Sequence, residues 1–236
     1  MKTLQISPGR RAFVRTVALT VPAVLGAAAV ARGAHSAGDP DAASSTESGY
    51  RPKYFRPDEW NSLSALVDRL IPADNEGPGA IEAGVPEFID RQMNTPYGHG
   101  HLWYMHGPFV PDAGPEFGYQ QPHAPRELYR LALKDLEQYV ADNHGGATVS
   151  LDAAQRDGLL VRLEQDKLTL AGAPSGVFFS QLLQNTYEGY FCDPVHGGNR
   201  DMAAWQMIGF PGARADYMDW VRQYGAKYPL PPISRR

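Results

Sequence analysis

The sequence predicts an all-α domain with long loops, and three observations carry that reading. Apolar residues recur at spacings of three and four in one stretch after another, as in helices with one buried face. No stretch alternates apolar and polar residues as a half-buried strand would. Gly (24) and Pro (20) are both abundant, so loops and turns take much of the chain. With 236 residues and 43% hydrophobic side chains, the chain can bury the core of one ordinary domain and is too short for two large ones.

The elements follow in order. Pro57 suits a first helical turn, and Asp58 and Glu59 suit its positive end. Trp60, Leu63, Val67 and Leu70 then keep helical spacing until Pro72 stops the run. A loop over 74–84 leads to a short helix over 85–93, with Pro86 in its first turn and Phe88, Ile89 and Met93 on its apolar face. The stretch 94–125 holds five Gly, six Pro and the aromatics Tyr97, Trp103, Tyr104, Phe109, Phe117 and Tyr119. No helix survives that density of breakers, so this is an ordered aromatic loop or a partner surface. Helix returns over 126–143 with Leu128, Leu131, Leu133, Leu136 and Val140, and His144-Gly145-Gly146 ends it. Asp152 with Gln155 reads as a capping box before Leu159, Leu160 and Leu163. Residues 175–191 form a third strong helix through Phe178, Phe179, Leu182, Leu183, Thr186 and Tyr190. A last short helix is expected over 216–224, and an extended Pro-rich tail over 228–236.

The N-terminus reads as an export signal. Residues 1–31 combine Lys2, Arg10, Arg11 and Arg15 with an uncharged stretch over 16–31 that ends in small residues. Arg10-Arg11 with Phe13 two places on resembles a bacterial twin-arginine signal, although Gly9 stands where Ser or Thr is usual. That route carries folded proteins. Residues 32–53, rich in Ala, Ser, Gly and Asp, are expected to be a disordered linker, with the helical domain over 54–236.

Charge and chemistry exclude several classes. The chain carries 22 bases and 26 acids, net −4, and loss of the four bases in 1–31 leaves about −8, so no field for nucleic acid exists. A single Cys, Cys192, rules out a c-type haem attachment site, a multi-Cys zinc site and an internal disulfide. Gly98-His99-Gly100 lacks the third Gly of a dinucleotide fingerprint, because Trp103 takes its place. His99, His101 and His106 beside Met105 could bind copper or haem iron, or serve as flat packing groups. No catalytic, cofactor-binding or metal-binding residue is assigned from the sequence.

The most distinctive stretch runs Phe191-Cys192-Asp193-Pro194-Val195-His196-Gly197-Gly198-Asn199-Arg200-Asp201 and continues through Trp205 to Phe210-Pro211-Gly212. This motif resembles the gluconate 2-dehydrogenase subunit 3 family, the small subunits of bacterial membrane-bound, FAD-dependent sugar and polyol dehydrogenases. The resemblance implies a non-catalytic accessory subunit without a cofactor of its own. It implies a large flavoprotein partner holding FAD and a multihaem cytochrome c partner. It also implies export of the folded flavoprotein through the twin-arginine translocase, and a periplasmic location at the inner membrane. Trp103, Trp205 and Phe210 are the expected docking anchors, with Arg200 as their polar partner, or else rings packed on the chain's own helices. Two other readings are an independent periplasmic enzyme and a metal- or haem-binding electron-transfer protein built on the histidine cluster.

Overall fold

A computed structural model of the chain describes residues 49–111, 113–170, 172 and 174–235. The expected signal and most of the expected linker lie outside them. Among the described residues there are six α-helices: α1 (Pro57–Leu70), α2 (Val85–Gln92), α3 (Pro125–His144), α4 (Ala153–Glu164), α5 (Ser175–Phe191) and α6 (Ala203–Ile208). Among the described residues the only β-pairing is two isolated bridges, Asp74 with Gly77 and Gly212 with Ile233. The described chain falls into a body, 49–214 with 230–235, and a separate short unit, 215–229.

The body is organised around α5. This helix touches α1, α2, α3, α4 and α6, and it buries Phe178, Phe179, Leu182 and Tyr190. Such a hub needs apolar residues on more than one side, and α5 has them, which is why its pattern reads as a broad stripe. The facing surfaces come from Leu63, Leu66 and Val67 of α1, Ile89 of α2, Leu133 and Leu136 of α3, and Leu163 of α4. The capping signals act as the sequence predicts. The Asp152 carboxylate accepts from the Gln155 amide at 2.8 Å, and the Gln155 side chain accepts from the Asp152 amide at 3.0 Å. Glu59 likewise accepts from the Arg56 amide at the start of α1, and Gly145 closes α3 with φ +72.

Two boundaries differ from expectation. Packing begins upstream of Tyr54, because the buried carboxylate of Asp90 on α2 gathers the incoming strand of chain. It accepts from the Tyr50 hydroxyl at 2.7 Å and from the backbone amides of Lys53, Tyr54 and Phe55 at 2.8–3.0 Å. The helix expected over 216–224 is a single 3-10 turn, Met218–Trp220. In that unit Tyr228 folds back onto Trp220 and Tyr217, with ring centroids 5.0 and 6.4 Å apart. Val221 and Tyr224 stay exposed, so no buried stripe rewards a longer helix.

Candidate functional site

The distinctive motif folds into a clasp. It begins where α5 ends at Phe191 and is built from side-chain bonds to backbone, which fix a loop without a helix or strand to hold it. Asp193 opens a 3-10 turn, Pro194–His196, by accepting from the Val195 amide. Asn199 is fully buried, donating to the Cys192 carbonyl at 2.9 Å and accepting from the Ala204 amide at 3.0 Å. Asn199, Asp201 and Met202 all have positive φ, a conformation tolerated by Asn and strained for Met. The two bonds of Asn199 stabilise this turn, and α6 follows directly.

Other motif residues tie the clasp to its neighbours. The Arg200 amide donates to the Ala83 carbonyl, and its guanidinium meets Glu87 on α2 at 2.8 Å. Arg91, one turn on in α2, holds the other oxygen of Glu87, so this carboxylate is fixed within its own helix and joins α2 to the clasp through Arg200. Gly84, at φ +78, lets the backbone pass within reach of Gly197 and Arg200; a Cβ there would stand 2.9 Å from the Gly197 oxygen. Trp205 is only 6% exposed, and its indole N–H donates to the Phe191 carbonyl at 2.8 Å. The Phe210 ring meets it edge-on at 5.0 Å but is 43% exposed. Pro211 and Gly212 pair with the C-terminal tail, where the Ile233 amide donates to Pro211 and the Ala213 amide to Ile233.

Asp193 also receives that tail, from the Ser234 hydroxyl at 2.5 Å and the Arg235 amide at 2.9 Å. Burial pushes this carboxyl's pKa up. The donors from Arg235, Ser234 and Val195 outweigh burial and hold it below the usual carboxylate range. A carboxyl depressed on folding contributes its full stability above its unfolded pKa, near 3.9, and loses it as pH falls through the lower folded value. The tail is therefore expected to stay pinned at neutral pH and to release in acid, below about pH 4. Amide exchange at Ala213 and Ile233 measures this. Protection at pH 6 that is unchanged by Asp193→Asn would rule Asp193 out as the pin.

The remaining sequence-selected residues divide between packing and surface. Trp103 is half-buried, tilted against Tyr119 at 4.7 Å and edge-on to Tyr97 at 5.7 Å. The loop over 94–125 is thus pinned by its own rings. Tyr97 carries the pin inward, bonding Asn185 and Gln181 of α5, and Tyr129 of α3 shares the Asn185 oxygen. Beyond Trp103 the same loop exposes Leu102, Tyr104 (80%), Val110 and Phe117 (67%). The clasp exposes Val195, Ile208 and Phe210. The body therefore presents two aromatic and aliphatic surfaces, and single-chain soluble proteins keep such patches small unless they are used. Trp205 takes the packing alternative, and Phe210 keeps the surface one.

The groups with potential chemistry are placed as follows. Among the described residues no cluster of three or more His, Cys, Asp or Glu side chains is set to hold a metal. His99 stacks on His101 and bonds Arg126, while the His106 ring lies against Tyr104. Cys192 is a half-buried free thiol, and burial raises its pKa to about 11, so it is protonated and weakly nucleophilic at neutral pH. Sequence reading missed Asp90, Glu87 and Asn185. None of the three had a local signal, because each is engaged by residues distant in the chain.

Neither the search of curated proteins nor that of solved structures gave a match. The model of one family, gluconate 2-dehydrogenase subunit 3, matches residues 57–212. That span starts at the first residue of α1 and ends at the glycine that pairs with the tail, so it holds all six helices and the clasp. The chain belongs to the gluconate 2-dehydrogenase subunit 3 family.

Proposed function

We propose that this chain is the non-catalytic small subunit of a periplasmic FAD-dependent gluconate or sugar dehydrogenase complex. It binds the folded flavoprotein, carries it through the twin-arginine route by its own signal, and stabilises it afterwards at the inner membrane. FAD belongs to the large subunit and haem c to a cytochrome subunit; this chain supplies the surface and the address. The observation that carries the reading is the family match across residues 57–212. The geometry supports it in one respect. Asp193, Asn199, Arg200 and Trp205 are engaged in holding the chain's own loops together, as a rigid platform requires.

A partner that crosses the membrane bound must be held by an obligate type of interface, wide and apolar, on the order of 2,000 Å² or more. Tyr104, Phe117 and Phe210 are the aromatic anchors available for it. The test is replacement of Arg10 and Arg11 by Lys in the producing cell, with the flavoprotein followed by activity and fractionation. Dehydrogenase activity is expected to disappear from the periplasm while the flavoprotein accumulates in the cytoplasm. Normal periplasmic activity in the double variant overturns the export role.

A further inference from the structure

Away from the clasp, a cleft of about 690 Å³ opens beside the first two turns of α3, lined by Tyr54, Pro122, His123, Arg126, Glu127, Arg130 and Leu131. That volume is in the range of small-ligand sites, about 300–1,000 Å³. Two guanidiniums, Arg126 and Arg130, lie over the Tyr54 ring at 4.7 and 4.4 Å from its centre. The Tyr54 hydroxyl donates to the Arg126 carbonyl at 2.5 Å and accepts from Arg130 Nε at 3.2 Å. The ring therefore fixes both arginines before any ligand arrives, a form of preorganisation.

The two arginines differ in what they have left to give. Arg130 donates to the Tyr54 hydroxyl and carbonyl and approaches Glu59 at 3.5 Å. Glu59 has a closer counter-charge in Arg56, at 2.9 Å. Arg126 is bonded through Nη1 to the His99 ring, and among the described residues no carboxylate lies within ion-pair distance of it. Its remaining N–H donors form the planar fork that matches an oxyanion. The only carboxylate in the lining is Glu127, one oxygen of which accepts from the Ala124 amide. The lining thus has two guanidiniums, one carboxylate and a surplus of one positive charge, in a chain whose overall balance is acidic. Tyr54, Pro122 and Leu131 supply apolar wall.

We infer that this cleft binds the carboxylate of an organic monoanion, with Arg126 as the group that contacts it and Tyr54 and Arg130 as its positioning residues. Arg126, the guanidinium without an ion-pair partner among the described residues, offers one positive charge that one carboxylate matches, whereas a phosphate dianion would leave that pair net negative. The carboxylate can come from a free small acid or from a Glu side chain on another protein. The inference stands on this cleft alone and does not depend on the export role.

The experiment is calorimetric titration of the purified full chain with four probes: sodium gluconate, D-glucose, inorganic phosphate and the peptide acetyl-Gly-Glu-Gly-amide. Saturable one-to-one binding of gluconate, without binding of glucose, is expected if the source is a small acid. Binding of the peptide and not of gluconate assigns the site to a protein carboxylate. Arg126→Gln should weaken the bound probe at least about tenfold, and Arg126→Lys should weaken it while keeping the charge. Both variants retain the backbone carbonyl that Tyr54 bonds, and their melting temperatures check the fold. The inference is overturned if neither carboxylate binds at millimolar concentration. It is equally overturned if phosphate binds more tightly than either carboxylate, or if Arg126→Gln binds as the unaltered chain does.

Discussion

Gly198→Ala is expected to cripple folding of the body. A Cβ at this position would overlap the carbonyl oxygen of Gly189 on α5 and stand 3.0 Å from Cys192 Sγ. The first obstacle is backbone inside the central helix, so no side-chain rotation relieves it. Gly189 cannot retreat, because it already sits against Phe88, where even a Cβ of its own would come within 2.8 Å of the ring. Overpacking ordinarily costs about 1–3 kcal/mol, and a clash of backbone on backbone belongs at or above the top of that range. Loss of about 3 kcal/mol lowers the melting temperature of a body this size by roughly 6–12 °C. Thermal unfolding followed by circular dichroism checks it, with an unchanged melting temperature as the contrary result. Gly198 thus lets the clasp lie flat on α5, while Gly197, at φ +100, lets it pass the Arg91 side chain of α2.

Trp205→Ala and Phe210→Ala are expected to separate sharply although the two rings touch. Trp205 is buried and its N–H bonds the carbonyl of the last residue of α5. Its truncation leaves a cavity and an unpaired acceptor, and should cost about 3–5 kcal/mol of stability. Phe210 covers Trp205 from the outside, with nearly half of its surface in water. Phe210→Ala should leave the melting temperature of the free chain within a few degrees. If Phe210 is an anchor for the flavoprotein, the same change should weaken that complex by about 2 kcal/mol, roughly thirtyfold. The readouts are melting of the isolated chain and co-purification of the flavoprotein. A Phe210→Ala chain that melts early yet still retains its partner would assign Phe210 to the body and remove it from the docking surface.

The helices were legible in the sequence because each carries its own local signals. Pro57, Pro86 and the Asp152–Gln155 box mark starts, Gly145 marks an end, and the apolar spacing of Phe178, Phe179, Leu182 and Tyr190 marks the most buried helix. The 216–224 segment misled for the same reason. Its Trp, Val and Tyr keep helical spacing, and Trp220 packs on Tyr228, but Val221 and Tyr224 stay exposed, and a stripe that is not buried along its length does not make a helix. The motif from Phe191 to Gly212 identified the family by residue type and order alone.

What that motif does was decided only in three dimensions. Asn199 bonds residues five and seven places away, Arg200 meets a carboxylate 113 residues earlier, and Asp193 holds a tail more than 40 residues later. The Arg126 fork likewise depends on Tyr54, 72 residues before it, as Asp90 depends on amides 35 to 37 residues before it. Such pairings have no period and no fixed spacing. They arise because burial of the helices brings polar groups into places where water cannot reach them, and each must then find whatever partner the packing supplies. Local chemistry along the chain thus determined which segments are helical and to which family they belong. Tertiary packing alone decided which signature residues lock the body and which rings are left exposed.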